Sequence, residues 1–283
     1  MASTTLKEDQ SAAVVPRLVS REESMKQFVK AFKPIKKHTR FLRRFRGLRI
    51  AINGVIGAGK STLVTILKEV AERYELPISI LLERIPMDKL QEFITYQSVI
   101  DSKPPHIQKT MRNIHAFPLQ MNILEYRLED SFQALKECRD KLVVFDRNLH
   151  GDFVFTRANY EMGNLTETEW LQYMERYNQV DIVEVDINIQ LDVSMDTSND
   201  RIKNRSRTSE DKYDPKYLKL IHDINNEVAN TLTCPVLRLV WNQHNNINDP
   251  AERERIGLNV FKAIDALLMK DIEDDFGHMQ III

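Results

Sequence analysis

Leu48-Arg49-Ile50-Ala51-Ile52-Asn53-Gly54-Val55-Ile56-Gly57-Ala58-Gly59-Lys60-Ser61-Thr62 is the stretch from which the rest of the chain can be read. Its first half is an apolar run of strand length that ends on a glycine. From Gly54 to Ser61 it fits GxxxxGK[ST] in full, and residues 60–73 continue with helical spacing. A strand before and a helix after are the context that turns this pattern into a motif. The glycines let the backbone curl so that successive N–H groups point inward, and the helix N-terminus adds its partial positive charge. Lys60 is spaced to reach the β- and γ-phosphates as a point charge, and the Ser61 hydroxyl to ligate Mg2+. Gly54, Gly57, Ala58, Gly59, Lys60, Ser61 and Thr62 are the candidate residues for binding a nucleoside triphosphate. Switches, motors and small-molecule kinases all use such a loop, so the pattern alone does not choose among them.

Working outward, four further apolar runs have strand length: 78–82, 142–145 closing on Asp146, 187–193, and 235–241. Between them lie segments with helical periodicity, about 113–137, 150–162, 167–180, 197–206, 214–232 and 250–270. Short apolar strands alternating with long helices indicate an α/β fold, with five strands in a parallel sheet covered by helices on both faces. Residues 47–270 read as one such domain, and 271–283 as a tail without assignment.

The charge is divided along the chain. Residues 1–49 carry 13 Lys/Arg and 4 acids, whereas residues 50–283 carry 27 and 37, so a net charge of −1 hides +9 followed by −10. Residues 1–46 therefore read as a basic, mobile extension: a solvated arm, a targeting signal or a contact for nucleic acid or another polyanion. No run approaches 18 apolar residues, and no apolar signal region opens the chain, which argues against a membrane span or secretion. Cys138 and Cys234 form no CxxC pair and fit a reducing compartment. A cytoplasmic location is expected, with nuclear or mitochondrial targeting by the basic segment left open. The seven histidines suggest no zinc site.

The acceptor side narrows the choice. Glu83 follows the second strand, and Gln120 lies in a long helical segment with Arg127 seven residues on. Seven residues turn a helix through roughly 700°, so the two side chains share a face about 10 Å apart along its axis. Asp146-Arg147-Asn148 closes the third strand, and an arginine-rich run from Arg201 through Arg205 and Arg207 ends at Glu210. In this order the chain resembles the deoxynucleoside kinase family, over about residues 48–242; Asn159 to Trp170 is also similar to a family segment.

That resemblance implies transfer of a phosphoryl group from ATP, with Mg2+, to a deoxynucleoside. Glu83 is then the general base for the 5′-hydroxyl and Arg147 holds the 5′-oxygen region, with Asp146 a second Mg2+ contact beside Ser61. Arg201, Arg205 and Arg207 form a lid over the phosphates alongside Lys60. Glu210 holds the sugar 3′-hydroxyl, with Tyr96 as its partner. Gln120, Arg127 and Asp152 face the base, and Phe155, or Thr156 if the match runs without a deletion, stacks on it. An ionised Asp152 accepts from an exocyclic amine, so cytosine or purine nucleosides are expected over thymidine. The chain departs from the family pattern at Asn148, where Ser is usual, and at Arg84, where Pro is usual. A homodimer is implied. The competing readings are a thymidine or broad-specificity kinase, a nucleoside-monophosphate kinase, and a nucleotide-binding protein without turnover.

Overall fold

The computed structural model describes residues 37–179, 185–205, 215–240, 247–270 and 278–282, the side chains of Arg205, Lys270 and His278 apart. Contacts divide the chain into Met1–Phe41, of which only residues 37–41 are described, and Leu42–Ile283. Within the second unit Leu42 and Phe45 are buried, and the Phe45 ring lies 4.9 Å from that of Phe261.

Six strands form one sheet, β1 (Arg49–Gly54), β2 (Ile78–Leu81), β3 (Leu142–Asp146), β4 (Ile187–Asp192), β5 (Val236–Val240) and β6 (His278–Ile282). Their spatial order is β2-β3-β1-β4-β5-β6 and every pairing is parallel. The expected five strands are thus corrected to six. The additional one lies in the stretch read as an unassigned tail, and at the sheet edge it pairs only with β5, from Val236↔His278 to Val240↔Ile282. Ile282 remains exposed, so this strand lacks the continuous burial that made the others readable.

Helices connect the strands: α1 (Lys60–Arg73), α2 (Met87–Asp101), α3 (Ala116–Glu137), α4 (Leu149–Glu161), α5 (Glu167–Asn178), α6 (Met195–Arg205), α7 (Pro215–Thr231) and α8 (Pro250–Lys270). Both sheet faces are buried. Ala51, Val143 and Phe145 join Leu81 and Ala134 of α3 in one apolar cluster, while the alternate residues Ile50, Ile52, Val144, Ile187 and Ile189 are also inaccessible. α8 crosses α1 closely at Gly257, where a Cβ would stand 2.6 Å from Val70 Cγ2. α2 was not expected from the sequence; Phe93 and Ile94 seat it against Ala116 and Leu119 of α3 and Leu165. This packing brings the carboxyl ends of β1, β2 and β3 together at one edge of the sheet, the usual place for a site in a parallel α/β fold.

Candidate active site

At the end of β1 the chain turns through Gly54, Gly57 and Gly59, with φ of 153°, 75° and 94°. All three lie where a side chain is strained. Gly57 also has no room for one, since a Cβ would meet the Ser198 carbonyl oxygen at 2.7 Å. Ser198 of α6 donates to the Ile56 carbonyl (2.6 Å), and Arg201 Nη1 donates to that of Ala58 (3.1 Å). α6 is therefore docked directly on the loop, and burial lowers the Arg201 pKa. Lys60 is buried, and its Nζ donates to the carbonyls of Val55 (3.1 Å) and Gly54 (3.3 Å). Thr62 follows in the first turn of α1. Ser61 Oγ donates to Asp146 Oδ2 at 3.1 Å, which joins the start of α1 to the end of β3. Asp146 Oδ1 is buried with no hydrogen-bond partner among the described residues. An orphaned carboxylate oxygen beside a serine hydroxyl is a donor set that fits a hard divalent cation.

Arg147 follows Asp146 with φ 71°, unusual for a side chain this large. Its N–H bonds the Ile52 carbonyl (3.1 Å), its Nε donates to Glu83 Oε1 (2.8 Å), and its guanidinium stands 4.4 Å from the centre of the Phe155 ring. Arg127 Nη2 donates to the same Glu83 oxygen at 3.0 Å. Burial pushes the Glu83 carboxyl up, but Arg147, Arg127 and Lys60 outweigh it and hold the pKa at about 2. Both guanidinium bonds end on Oε1, which leaves Oε2 without a partner among the described residues. Arg84 ties this loop to α3. It donates to the Tyr126 carbonyl (2.7 Å), Asp130 (2.7 Å) and Glu129 (2.8 Å), and lies over the Tyr126 ring.

The departure at Asn148 also holds local structure. Asn148 caps α4 by accepting from the Gly151 N–H (3.3 Å) and also accepts from Asn53 (2.9 Å), which reaches Asn188 as well (2.6 Å). Gly151 fits beneath Asn53, because a Cβ there would come within 2.2 Å of Asn53 Oδ1. This amide cluster registers α4, and with it Asp152 and Phe155, against the strand that carries the glycine loop.

Gln120, Arg127 and Asp152 are all buried near this end of the sheet, and Arg127 makes no hydrogen bond to Asp152. Arg127 turns to Glu83, and Asp152 Oδ2 accepts from the Tyr173 hydroxyl of α5 (3.0 Å). Burial raises Asp152 to about 6, opposed by Arg127, the Tyr173 bond and Arg147. Thr156, the alternative to Phe155, is fully buried and donates to Gln120 Oε1 (3.1 Å). Tyr96 packs edge-on against His115 and makes no hydrogen bond to the Glu83 cluster. The side chain of Arg205, and Arg207 and Glu210 entirely, lie outside the described residues. Asn53, Asp130 and Tyr173 were not singled out from the sequence. Tyr173 stands 21 positions from Asp152 on another helix, and no spacing signals that contact.

Comparison with known proteins assigns the chain to a family. The deoxynucleoside kinase family profile matches residues 50–265, so the chain belongs to the deoxynucleoside kinase family. It is similar to a deoxyadenosine kinase of Dictyostelium discoideum, 29% identical over 204 residues that make up 70% of this chain and 74% of the relative. Deoxycytidine kinase 2 of Gallus gallus is 28% identical over 199 residues, covering 64% and 73%. Among solved structures, deoxyadenosine kinase from M. mycoides with bound dCTP superposes with a TM-score of 0.54 at 25% identity, over 76% of this chain and all of that one. The protein is accordingly a kinase that phosphorylates deoxynucleosides. No helix among the described residues is long and apolar enough to cross a membrane.

Proposed function

We propose that the protein transfers the γ-phosphoryl group of ATP to the 5′-hydroxyl of a cytosine or purine deoxynucleoside, as a salvage enzyme acting as a homodimer. The observation that carries this reading is Glu83, held between Arg127 and Arg147, within electrostatic reach of Lys60, and with one oxygen unpartnered among the described residues. The loop N–H groups and Lys60 would bind the β- and γ-phosphates, with Lys60 leaving its present carbonyl partners for them. Arg201, already seated on the loop, and Arg205 and Arg207 beyond it would neutralise charge on the transferred group. Ser61 and Asp146 would hold Mg2+, which when bound supplies charge neutralisation at the phosphates.

In the reaction the 5′-oxygen bonds to the γ-phosphorus as the bond to the ADP leaving oxygen breaks, and the hydroxyl proton passes to Glu83. With a pKa near 2 Glu83 is always ionised but weakly basic. It would orient the hydroxyl as an acceptor and take the proton late, which suits a loose transition state with little nucleophile bonding. Arg147, fixed by its own backbone bond to β1, would then contact the 5′-oxygen region. Phe155 would stack on the base, while Glu210 with Tyr96 would meet the sugar. The D. discoideum relative bears the name of an adenine nucleoside, and the M. mycoides structures contain dCTP and dATP, in line with amino bases.

Incubation with labelled ATP and each of the four deoxynucleosides tests the assignment. Phosphorylation of deoxycytidine or deoxyadenosine ahead of thymidine is the expected result; a preference for thymidine overturns the base reading.

A further inference from the structure

Two carboxylates compete for Arg127, whose side chain is buried on α3. Nη2 donates to Glu83 Oε1 at 3.0 Å, while Nη1 stands 3.9 Å from Asp130 Oδ2, one turn further along the helix. Nη1 makes no hydrogen bond among the described residues, so a donor is held in reserve beside Asp130. Asp130 is itself buried, and burial raises its carboxyl against the pull of Arg84 and Arg127. Arg84 is what satisfies it. Its Nη2 donates to Asp130 Oδ1 and to the Tyr126 carbonyl, each at 2.7 Å, and its guanidinium stands 4.7 Å from the centre of the Tyr126 ring. The further bond to Glu129 is exposed and adds little. Arg84 also follows Glu83 directly, so the loop that delivers Glu83 to Arg127 delivers the cation for Asp130 with it. Proline, usual at this position in the family, has no cation to offer, so the arrangement comes with this chain's own departure.

We infer that Arg84 is a positioning residue for phosphoryl transfer: by occupying Asp130 it leaves Arg127 to Glu83, which stays clamped between two guanidiniums. The inference rests on the proposal that Glu83 meets the 5′-hydroxyl. A buried carboxylate that loses its partner is costly, and without Arg84 the cation within reach of Asp130 is Arg127. Residues three apart on a helix are neighbours, so that contact closes with a change of rotamer and no change of backbone. Glu83 would then keep Arg147 alone, and its carboxylate would be free to turn about that single hydrogen bond. Misplacing a reacting group by about 1 Å costs up to about 10²-fold in rate. Arg84 thus acts on the reaction through two other side chains and touches neither substrate.

The experiment measures kcat and KM, with ATP and the best of the four deoxynucleosides, for the full chain carrying Arg84→Gln, Arg84→Lys, Asp130→Asn, Arg84→Gln with Asp130→Asn, or Glu83→Gln. Thermal melting checks folding. Arg84→Gln is expected to lower kcat roughly 10–100-fold with KM for ATP unchanged. Arg84→Lys, which keeps a cation at Asp130, should stay within about threefold of native. Removing the competing carboxylate should cancel the loss, so that the double variant turns over as fast as Asp130→Asn alone, a coupling that independent sites do not show. A crystal structure of Arg84→Gln should have Arg127 Nη1 hydrogen-bonded to Asp130 and Glu83 held by Arg147 alone. Should Arg84→Gln not fold, Arg84→Met, which keeps the packing over Tyr126, takes its place. The inference is overturned if Arg84→Gln turns over at the native rate while Glu83→Gln does not. It is equally overturned if the double variant is slower than Asp130→Asn by the factor that separates Arg84→Gln from native, since Arg84 would then be a tether that acts without Asp130. Near-native turnover of Glu83→Gln instead overturns the general-base assignment, and this inference with it.

Discussion

The two halves of the site are built by different means. The donor half is mostly backbone: three glycines in one short turn, a helix N-terminus, and α6 pressed against the loop so closely that Gly57 cannot carry a Cβ. The acceptor half is made of side chains from five separate places, Glu83 after β2, Arg127 on α3, Arg147 after β3, Asp152 on α4 and Tyr173 on α5, in two hydrogen-bonded groups, Arg127–Glu83–Arg147 and Tyr173–Asp152. Backbone shape tolerates little substitution. A cluster of charges can be retied, and this chain's departures at Arg84 and Asn148 fall on the acceptor side, each with new partners.

The sharpest way to break this contrast is Glu83→Gln. The amide keeps the shape but leaves Arg127 and Arg147 without their shared anion and removes the proposed proton acceptor. Steady-state kinetics should show kcat reduced by roughly 10²–10⁴-fold, the range for loss of a general base. Turnover within tenfold of the native value would mean that positioning by the donor half suffices.

The reciprocal test is Gly57→Ala. A side chain at φ 75° is strained, and its Cβ would stand 2.7 Å from the Ser198 carbonyl. The combined cost, on the order of 1–3 kcal/mol, corresponds to roughly 5–150-fold if it falls on ATP binding. A rise in KM for ATP with a nearly native KM for the nucleoside is expected. Equal effects on both would show that α6 couples the halves through the loop.

The same contrast explains what could be read from sequence. β1, the loop and α1 are contiguous, and a local pattern of glycines beside an apolar run specifies all three, so their boundaries agree with the structure. α2 escaped because apolar residues also lie on its exposed side, Met87 and Val99 among them, which blurs the period. β6 is an edge strand whose pairing depends on β5 across a long connection. In the acceptor half, residue types were legible but partners were not. Gln120 and Arg127 could be placed on one helix face by spacing, yet which of Asp152, Glu83 and Asp130 the guanidinium would choose depends on how three other elements pack around it.

The last consequence concerns protons and is the smallest in size. Asp152 faces Arg127 on α3, Arg147 ahead of α4, Glu83 after β2, and Tyr173 and Tyr177 on α5; burial still prevails and raises it to about 6. Above that pH it is ionised and, in the proposed role, would accept from an amine; below it the neutral acid would lose that role. For deoxycytidine, kcat/KM should therefore fall as pH drops below about 6, approaching tenfold per unit. Glu83, at about 2, stays ionised throughout and adds nothing to this limb. The stability effect has the opposite sense. Between the ordinary value of 3.8 and about 6 the folded chain binds more protons than the unfolded one, so this group's contribution to stability declines as pH rises through that window. Asp152→Asn should flatten the kinetic limb and the stability slope together. Loss of neither would place the titrating group elsewhere and leave the acceptor half without its pH-sensitive member.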